Sequence, residues 1–372
     1  MSANTQIERP AGARGDAGAA RFDAARLPGV TSASPGWIVV GAVVLTACVA
    51  GGVLVGPIPM APASVIAWLL DRLPLVHVHS ALDARDATIV GELRLPRVVL
   101  GGIVGAMLSV SGASYQAVFR NPLADPYLLG AAAGAGLGAT IVVAGGAATG
   151  AHAAILPLAA FAGAIGGVSL AYALGRSRIG GRTTTSLVLA GVAVASFLTA
   201  VQTFVQQQNT ATLRQVYTWI LGRLTTAGWS DVRMMAPYAI VATAILLAAC
   251  RRLDVISVGD LEAESLGLNP ARLRAVVVVA ASLGTAAAVA TAGLIGFVGL
   301  IVPHAVRMVA GPGYRRVIPL SLLFGAAFMI LADVVARTIV APAEVPIGVI
   351  TAFLGAPFFV VVLRRATEGA DA

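Results

Sequence analysis

The chain has 372 residues, 58% hydrophobic and only 11% charged, whereas a soluble domain carries about 25% charged residues. Its formal net charge is +8, and all 25 basic side chains are arginine. A single water-facing core is thereby excluded, as are a Walker A phosphate loop and Schiff-base chemistry, both of which need lysine. The apolar residues gather in blocks of about 20, the length a helix needs to cross a hydrocarbon layer of about 30 Å. The arginines lie between these blocks, where positive charge orients membrane proteins. They form no basic patch for a nucleic acid, so membrane lipid is the expected surrounding. Cys48 and Cys250 sit far apart in apolar segments, with no zinc or disulfide spacing, and no metal site is expected.

Residues 1–35 are rich in Ala, Gly, Arg, Asp and Pro and read as a disordered cytoplasmic tail. No cleavable signal peptide is apparent, because the first apolar block starts near Trp37. The hydrophobic blocks predict ten spans, at about 37–56, 95–117, 127–146, 153–175, 186–206, 232–250, 273–293, 294–310, 317–336 and 347–363. The 273–310 stretch also reads as one span plus a re-entrant piece. Together these blocks define an all-α membrane domain over 36–365, followed by a short tail, 366–372. With the N-terminus cytoplasmic, Arg176, Arg178, Arg182, Arg251, Arg252, Arg272, Arg274, Arg315, Arg316, Arg364 and Arg365 fall inside. That bias places both termini in the cytoplasm. Arg94, Arg97 and Arg337 fall outside, against the trend. Gly130, Gly134 and Gly138 form a small-xxx-small ridge, and Gly101, Gly105 and Ser109 form another on the preceding helix.

An ion-driven transporter places Asp, Glu or His at mid-membrane, and here the 17 acids fall almost entirely in tails and loops. The exception, Asp333, has Arg337 one turn later, which predicts an i,i+4 ion pair. Energy is therefore expected from another chain, and an ion-gradient-driven secondary transporter is the competing reading. No Ser/His/Asp set or His-Glu-x-x-His pattern supports a membrane enzyme. The 252–274 loop suggests where force enters. Asp260 is placed to N-cap a short helix, Leu261–Leu266, with Glu262 and Glu264 in its first turn and Gly267 after its end. Asn269 then caps a second helix with Pro270 at its first position.

Several runs of residues carry a family resemblance. They are Leu93-Arg94-Leu95-Pro96-Arg97, Ser111-Gly112, Asn121-Pro122-Leu123-Ala124-Asp125-Pro126, Leu189-Ala190-Gly191-Val192-Ala193 and Ser265-Leu266-Gly267. The series continues with Gly296-Phe297-Val298-Gly299-Leu300-Ile301-Val302-Pro303-His304, Leu331-Ala332-Asp333-Val334-Val335-Ala336-Arg337, Glu344-Val345-Pro346-Ile347-Gly348 and Leu354-Gly355-Ala356-Pro357. In this order the chain resembles the iron-chelate and cobalamin uptake (FecCD) permeases, the membrane subunits of type II ABC importers. The resemblance implies the type II importer permease fold with ten spans, in a bacterial inner membrane. It also implies a homodimer, two cytoplasmic ATPase chains that carry the ATP and Mg, and a periplasmic substrate-binding protein. This chain then needs no cofactor and is not itself an enzyme. The coupling helices would span about 254–272 and include Asp260, Leu261, Glu262, Glu264, Gly267, Asn269 and Arg272. Arg94, Arg97 and Arg337 would receive glutamates of the binding protein, with headgroup phosphate binding or local ion pairing as the competing reading. Asn121, Leu123, Thr183, Thr184, Thr185 and Ser186 would form the cytoplasmic gate, although the Thr/Ser cluster also suits a helix N-cap.

The histidines are weighed as heme ligands because heme heads the expected cargoes, ahead of ferric siderophore and cobalamin. His77 and His79 lie in an outer loop and His152 in a short outer turn, where none is expected to ligate. His304 is expected to make a structural hydrogen bond. Arg214 and Arg223 flank a short outer helix and are the candidate contacts for anionic groups of the cargo.

Overall fold

A computed structural model describes residues 35–72, 78, 81–146, 155–175, 184–208, 213–225 and 227–368. The 1–34 part of the expected tail, Thr183, His77, His79 and His152 lie outside these residues. So do residues 369–372 and the side chains of Thr184 and Thr185.

Every described regular element is helical. The helices that overlap the ten expected spans are α1 (Pro35–Leu54), α4 (Leu95–Phe119), α5 (Ala131–Ala144), α6 (Ile155–Gly175) and α7 (Thr184–Gln208). They continue with α9 (Trp229–Val258), α11 (Pro270–Ala292), α12 (Val298–Ala310), α13 (Tyr314–Thr338) and α14 (Ile347–Glu368). The remaining helices are short: α2 (Pro62–Asp71), α3 (Ala84–Thr88), α8 (Leu213–Ile220) and α10 (Asp260–Ser265). The stretch between the first two expected spans carries α2 and α3, and a π-helical turn at Ile89–Arg94 joins α3 to α4.

Two of the expected spans are shorter than hydropathy suggests. α12 has 13 residues and α5 has 14, which at 1.5 Å per residue gives roughly 20 Å, less than a bilayer core. The physical cause lies in the backbone before them. Gly293 has φ +74° and Phe297 φ +69°, so 293–297 leaves the helix and α12 starts late. The Tyr127 hydroxyl steadies this break, donating to the Ile295 carbonyl at 3.1 Å and accepting from the Ile295 N–H at 3.2 Å. The 273–310 region is therefore one full helix followed by a short one. Gly130, at φ +81°, ends a series of turns and delays α5 in the same way.

α4 is the central helix, packed on α13, α11, α9 and α12. Its most apolar window is 78% buried, against 11% for α7, whose Leu189, Phe197 and Phe204 face outward. The glycine ridges explain how closely these helices approach. A Cβ on Gly134 would stand 2.1 Å from the Gly163 carbonyl oxygen, and one on Gly138 2.2 Å from that of Ala159. α5 and α6 therefore meet backbone to backbone. On α4, a Cβ on Gly105 would lie 2.2 Å from the Gly325 oxygen, which fixes the α4–α13 contact. With lipid tails as apolar as leucine, such close packing is a main source of helix association.

Candidate functional site at the two ends of the bundle

α4 and α13 run antiparallel, so their ends bring charged residues together at opposite poles. At the pole where α4 begins, Arg97 is clamped between two carboxylates. Its Nε donates to both Asp333 oxygens at 3.0 Å, and its Nη2 donates to Asp333 Oδ1 at 2.8 Å. Nη1 and Nη2 donate to Glu344 at 2.9 Å each. The planar guanidinium fork makes this double bidentate arrangement possible, and such charge-assisted pairs are the strong ones. The Asp333–Arg337 pair expected from the i,i+4 spacing is present at 3.6 Å, but it is the weaker of the two contacts of Asp333.

The three arginines expected as outward docking cations are turned inward in this structure. Arg94 is only 4% exposed and donates to the Val53, Leu54 and Ile58 carbonyls; Arg337 is 2% exposed and donates to the Gly52 carbonyl at 2.6 Å. These contacts secure α1 to α4 and α13. They follow from desolvation, because a guanidinium buried without acceptors would be costly. Glu344 lies in the loop between α13 and α14 and also accepts from Thr225 Oγ1 at 3.1 Å. Burial alone would raise its pKa. The hydrogen bonds and charge of Arg97 outweigh burial and hold its carboxyl below the ordinary glutamate value.

These groups line a cavity of about 240 Å³, bounded by Arg97, Asp333, Glu344, Arg223, Thr218 and Thr225. The structure thus separates the two candidate cargo contacts. Arg223 borders the cavity, whereas Arg214 is exposed on α8, whose buried residues are Val216 and Trp219. Glu344 and Thr225 escaped the residue-level reading. The only available signal was a lone acid inside the apolar Glu344-Val345-Pro346 motif.

The opposite pole holds the capped helix pair. Asp260 is not the N-cap of α10 as expected. It is the first helical residue, after an extended Gly259, and its carboxylate pairs with arginines of other elements. Arg274 grips it with Nη1 at 2.9 Å and Nη2 at 2.6 Å, and Arg120 Nη2 reaches the same carboxylate. Hydrogen bonds from Arg274 hold Asp260 below the usual aspartate range, against a smaller opposing effect of burial. Gly267 does end α10, at φ +76°. Leu268 N–H donates to the Ala263 carbonyl and Gly267 N–H to that of Glu264, the paired bonds of a Schellman motif. Asn269 caps α11 as expected, accepting from the Arg272 N–H at 2.9 Å with Pro270 following. Between these caps, Leu261 and Leu266 stand 79% and 69% exposed. The pair of capped helices thus holds two leucines in the open, a larger apolar exposure than a surface helix needs.

Asn121 and Leu123 lie at this same pole. Asn121 Oδ1 accepts from the Leu123 N–H at 2.9 Å, closing an Asx turn that leaves Leu123 exposed. Ser186 is in the first turns of α7. His304 packs edge-on against Phe358, with ring centroids 6.0 Å apart. Among the described residues no cluster of metal-ligating side chains occurs.

The profile of the FecCD transport family matches residues 43–365. The chain is 44% identical to the cobalamin import system permease protein BtuC of Halobacterium salinarum, over 74% of this chain and 73% of that one. It is 39% identical to the Fe(3+)-citrate import system permease protein YfmD of Bacillus subtilis, over 80% and 87% of the two chains. It is also 39% identical to the hemin transport system permease protein HmuU of Yersinia pestis, over 74% and 83%. A solved chain described as an inward-facing conformation of a metal-chelate type ABC transporter superposes with a TM-score of 0.76 at 27% identity. That match covers 89% of this chain and 100% of the other.

Proposed function

Because the chain belongs to the FecCD transport family, we propose that it is the membrane permease of an ATP-driven importer for a metal chelate. The cargo is heme, a ferric siderophore or cobalamin, a range supported by relatives named for cobalamin, Fe(3+)-citrate and hemin. Heme is the first to test. In this reading two copies enclose the path, the chain sits in a bacterial inner membrane with both termini cytoplasmic, and separate ATPase chains hydrolyse ATP. A periplasmic binding protein delivers the cargo.

The observation that carries the reading is the capped protrusion at Asp260–Arg274, with Leu261 and Leu266 exposed on it. A helix pair this well satisfied in its own hydrogen bonds transmits a push instead of absorbing it. Binding-protein docking through Arg97 would proceed by exchange. An incoming carboxylate takes the place of Glu344, which at 24% side-chain exposure is the accessible partner of Arg97, while Asp333 at 3% stays. Arg94 and Arg337 then hold the receiving site in place. The gate is assigned to the Asn121–Leu123 turn and the start of α7.

The test is uptake into proteoliposomes that contain the permease, its ATPase and the cargo-loaded binding protein. Uptake should require internal ATP and persist when ionophores collapse the proton and sodium gradients. Uptake that survives ATP depletion but stops with the gradients would reverse the assignment.

A further inference from the structure

Arg120 occupies a backbone position that does not suit it. It follows the last residue of α4 with φ +47° and ψ +36°, in the left-handed region. Asn121 N–H donates to the Gln116 carbonyl and Arg120 N–H to that of Ala117, so Arg120 stands where a helix ending of this kind normally carries glycine. A residue with a side chain costs about 1 kcal/mol more there. The side chain offers a compensation: Nε donates to the Ile256 carbonyl at 2.8 Å, and Nη2 pairs with Asp260. One guanidinium therefore joins three elements: the end of α4, the last turn of α9 and the first residue of α10. The residue after it is Asn121, whose Asx turn presents Leu123. The far side of that turn is anchored independently, since Gln116 Nε2 donates to the Ala124 carbonyl at 3.2 Å and to the Gly299 carbonyl at 3.1 Å.

We propose that Arg120 is a positioning residue that transmits displacement of the Asp260–Ser265 helix to the Asn121–Leu123 turn. This inference rests on the importer reading above. Asp260 is the point where force arrives, with Arg274 tying it to α11. Arg120 is a short rigid link from that point to the turn. Its two contacts on α9 and α10 resist rotation in a way a single ion pair does not. The Asp260 pair is partly exposed on both sides, so its contribution to stability is small. Its value lies in direction, because among the described side chains of 120–126 it is Arg120 that bonds to α10.

Arg120→Gly is the informative variant, because it removes the link while relieving the left-handed strain. In reconstituted complexes it should retain ATP hydrolysis within about twofold and raise the ATP consumed per cargo molecule by about fivefold or more. Arg120→Lys, which keeps a charge but cannot hold both partners, should fall between. A second measurement guards against misfolding: spin labels at the exposed positions 123 and 265. In the parent protein their separation should hold a narrow distribution through the ATP cycle. In Arg120→Gly it should broaden. A parent-like ATP-to-cargo ratio in Arg120→Gly, or hydrolysis and uptake falling in parallel, overturns the proposal. Failure of the unmodified complex to show any ATP-dependent uptake would instead remove the importer reading itself.

Discussion

Removing Asp333 should destabilise this protein far more than neutralising Glu344, although both hold the same arginine. Asp333 is 2% exposed and stands between Arg97, at 2.8 Å, and Arg337, at 3.6 Å. Asp333→Ala leaves two largely buried guanidiniums with Glu344 as their one remaining carboxylate. Breaking a buried pair in this manner costs about 3–5 kcal/mol. Glu344→Gln keeps a hydrogen-bond acceptor at a side chain 24% exposed, where water can substitute, and the loss is about 1–2 kcal/mol. At about 2 °C per kcal/mol for a chain of this size, thermal unfolding in detergent should shift by roughly 6–10 °C in the first case and roughly 2–4 °C in the second. Arg97→Met combined with Asp333→Ala should cost less than the sum of the single changes by about 1–3 kcal/mol, since the residues act as one unit. Equal shifts for Asp333→Ala and Glu344→Gln, or strict additivity in the double variant, would refute this account of the cluster.

Three other outcomes follow from the same geometry. Gly112→Ala would put a Cβ 2.0 Å from the Gly299 carbonyl oxygen, whereas at Gly166 nothing lies within 4 Å. The first should lower the unfolding midpoint through overpacking worth about 1–3 kcal/mol or more, and Gly166→Ala should leave it unchanged or raise it. Glu344 has a depressed pKa in the folded state, so its stabilising contribution is complete above the unfolded value of about 4.3 and is lost as the pH falls through the lower folded value. Midpoints measured between pH 7 and pH 3 should therefore fall more steeply in the parent protein than in Glu344→Gln. Leu261→Ser and Leu266→Ser change side chains that are 79% and 69% exposed; they should leave the unfolding midpoint within about 1 °C, because surface substitutions cost little, yet reduce co-purification of the ATPase subunit.

Much of the architecture was legible in the chain because a bilayer imposes a strong and local rule. Any segment crossing it must satisfy its own backbone, so runs of apolar residues translate directly into helices. The cap at Asn269 and the end at Gly267 were legible for a similar reason, since each depends on residues within one turn. The breaks at Gly130 and Gly293–Phe297 were not, because hydropathy is blind to a change in the sign of φ at one residue. The distant pairings were equally hidden. Arg97 and Glu344 are 247 residues apart, and Arg120 and Asp260 are 140 apart.

The role of each arginine shows the division most clearly. Composition and placement alone determined that this is a helical membrane protein without a phosphate loop, and that Arg94, Arg97 and Arg337 are unusual on their side of it. Only the tertiary structure decided what those arginines do. A guanidinium near a helix end can face water, a partner or the interior, and nothing within a turn of sequence distinguishes these. The choice was made by acceptors brought from elsewhere: the Gly52, Val53, Leu54 and Ile58 carbonyls around Arg337 and Arg94, and Asp333 with Glu344 around Arg97. Coulombic attraction and the cost of desolvation act over ångströms, so they are settled by packing and not by order along the chain.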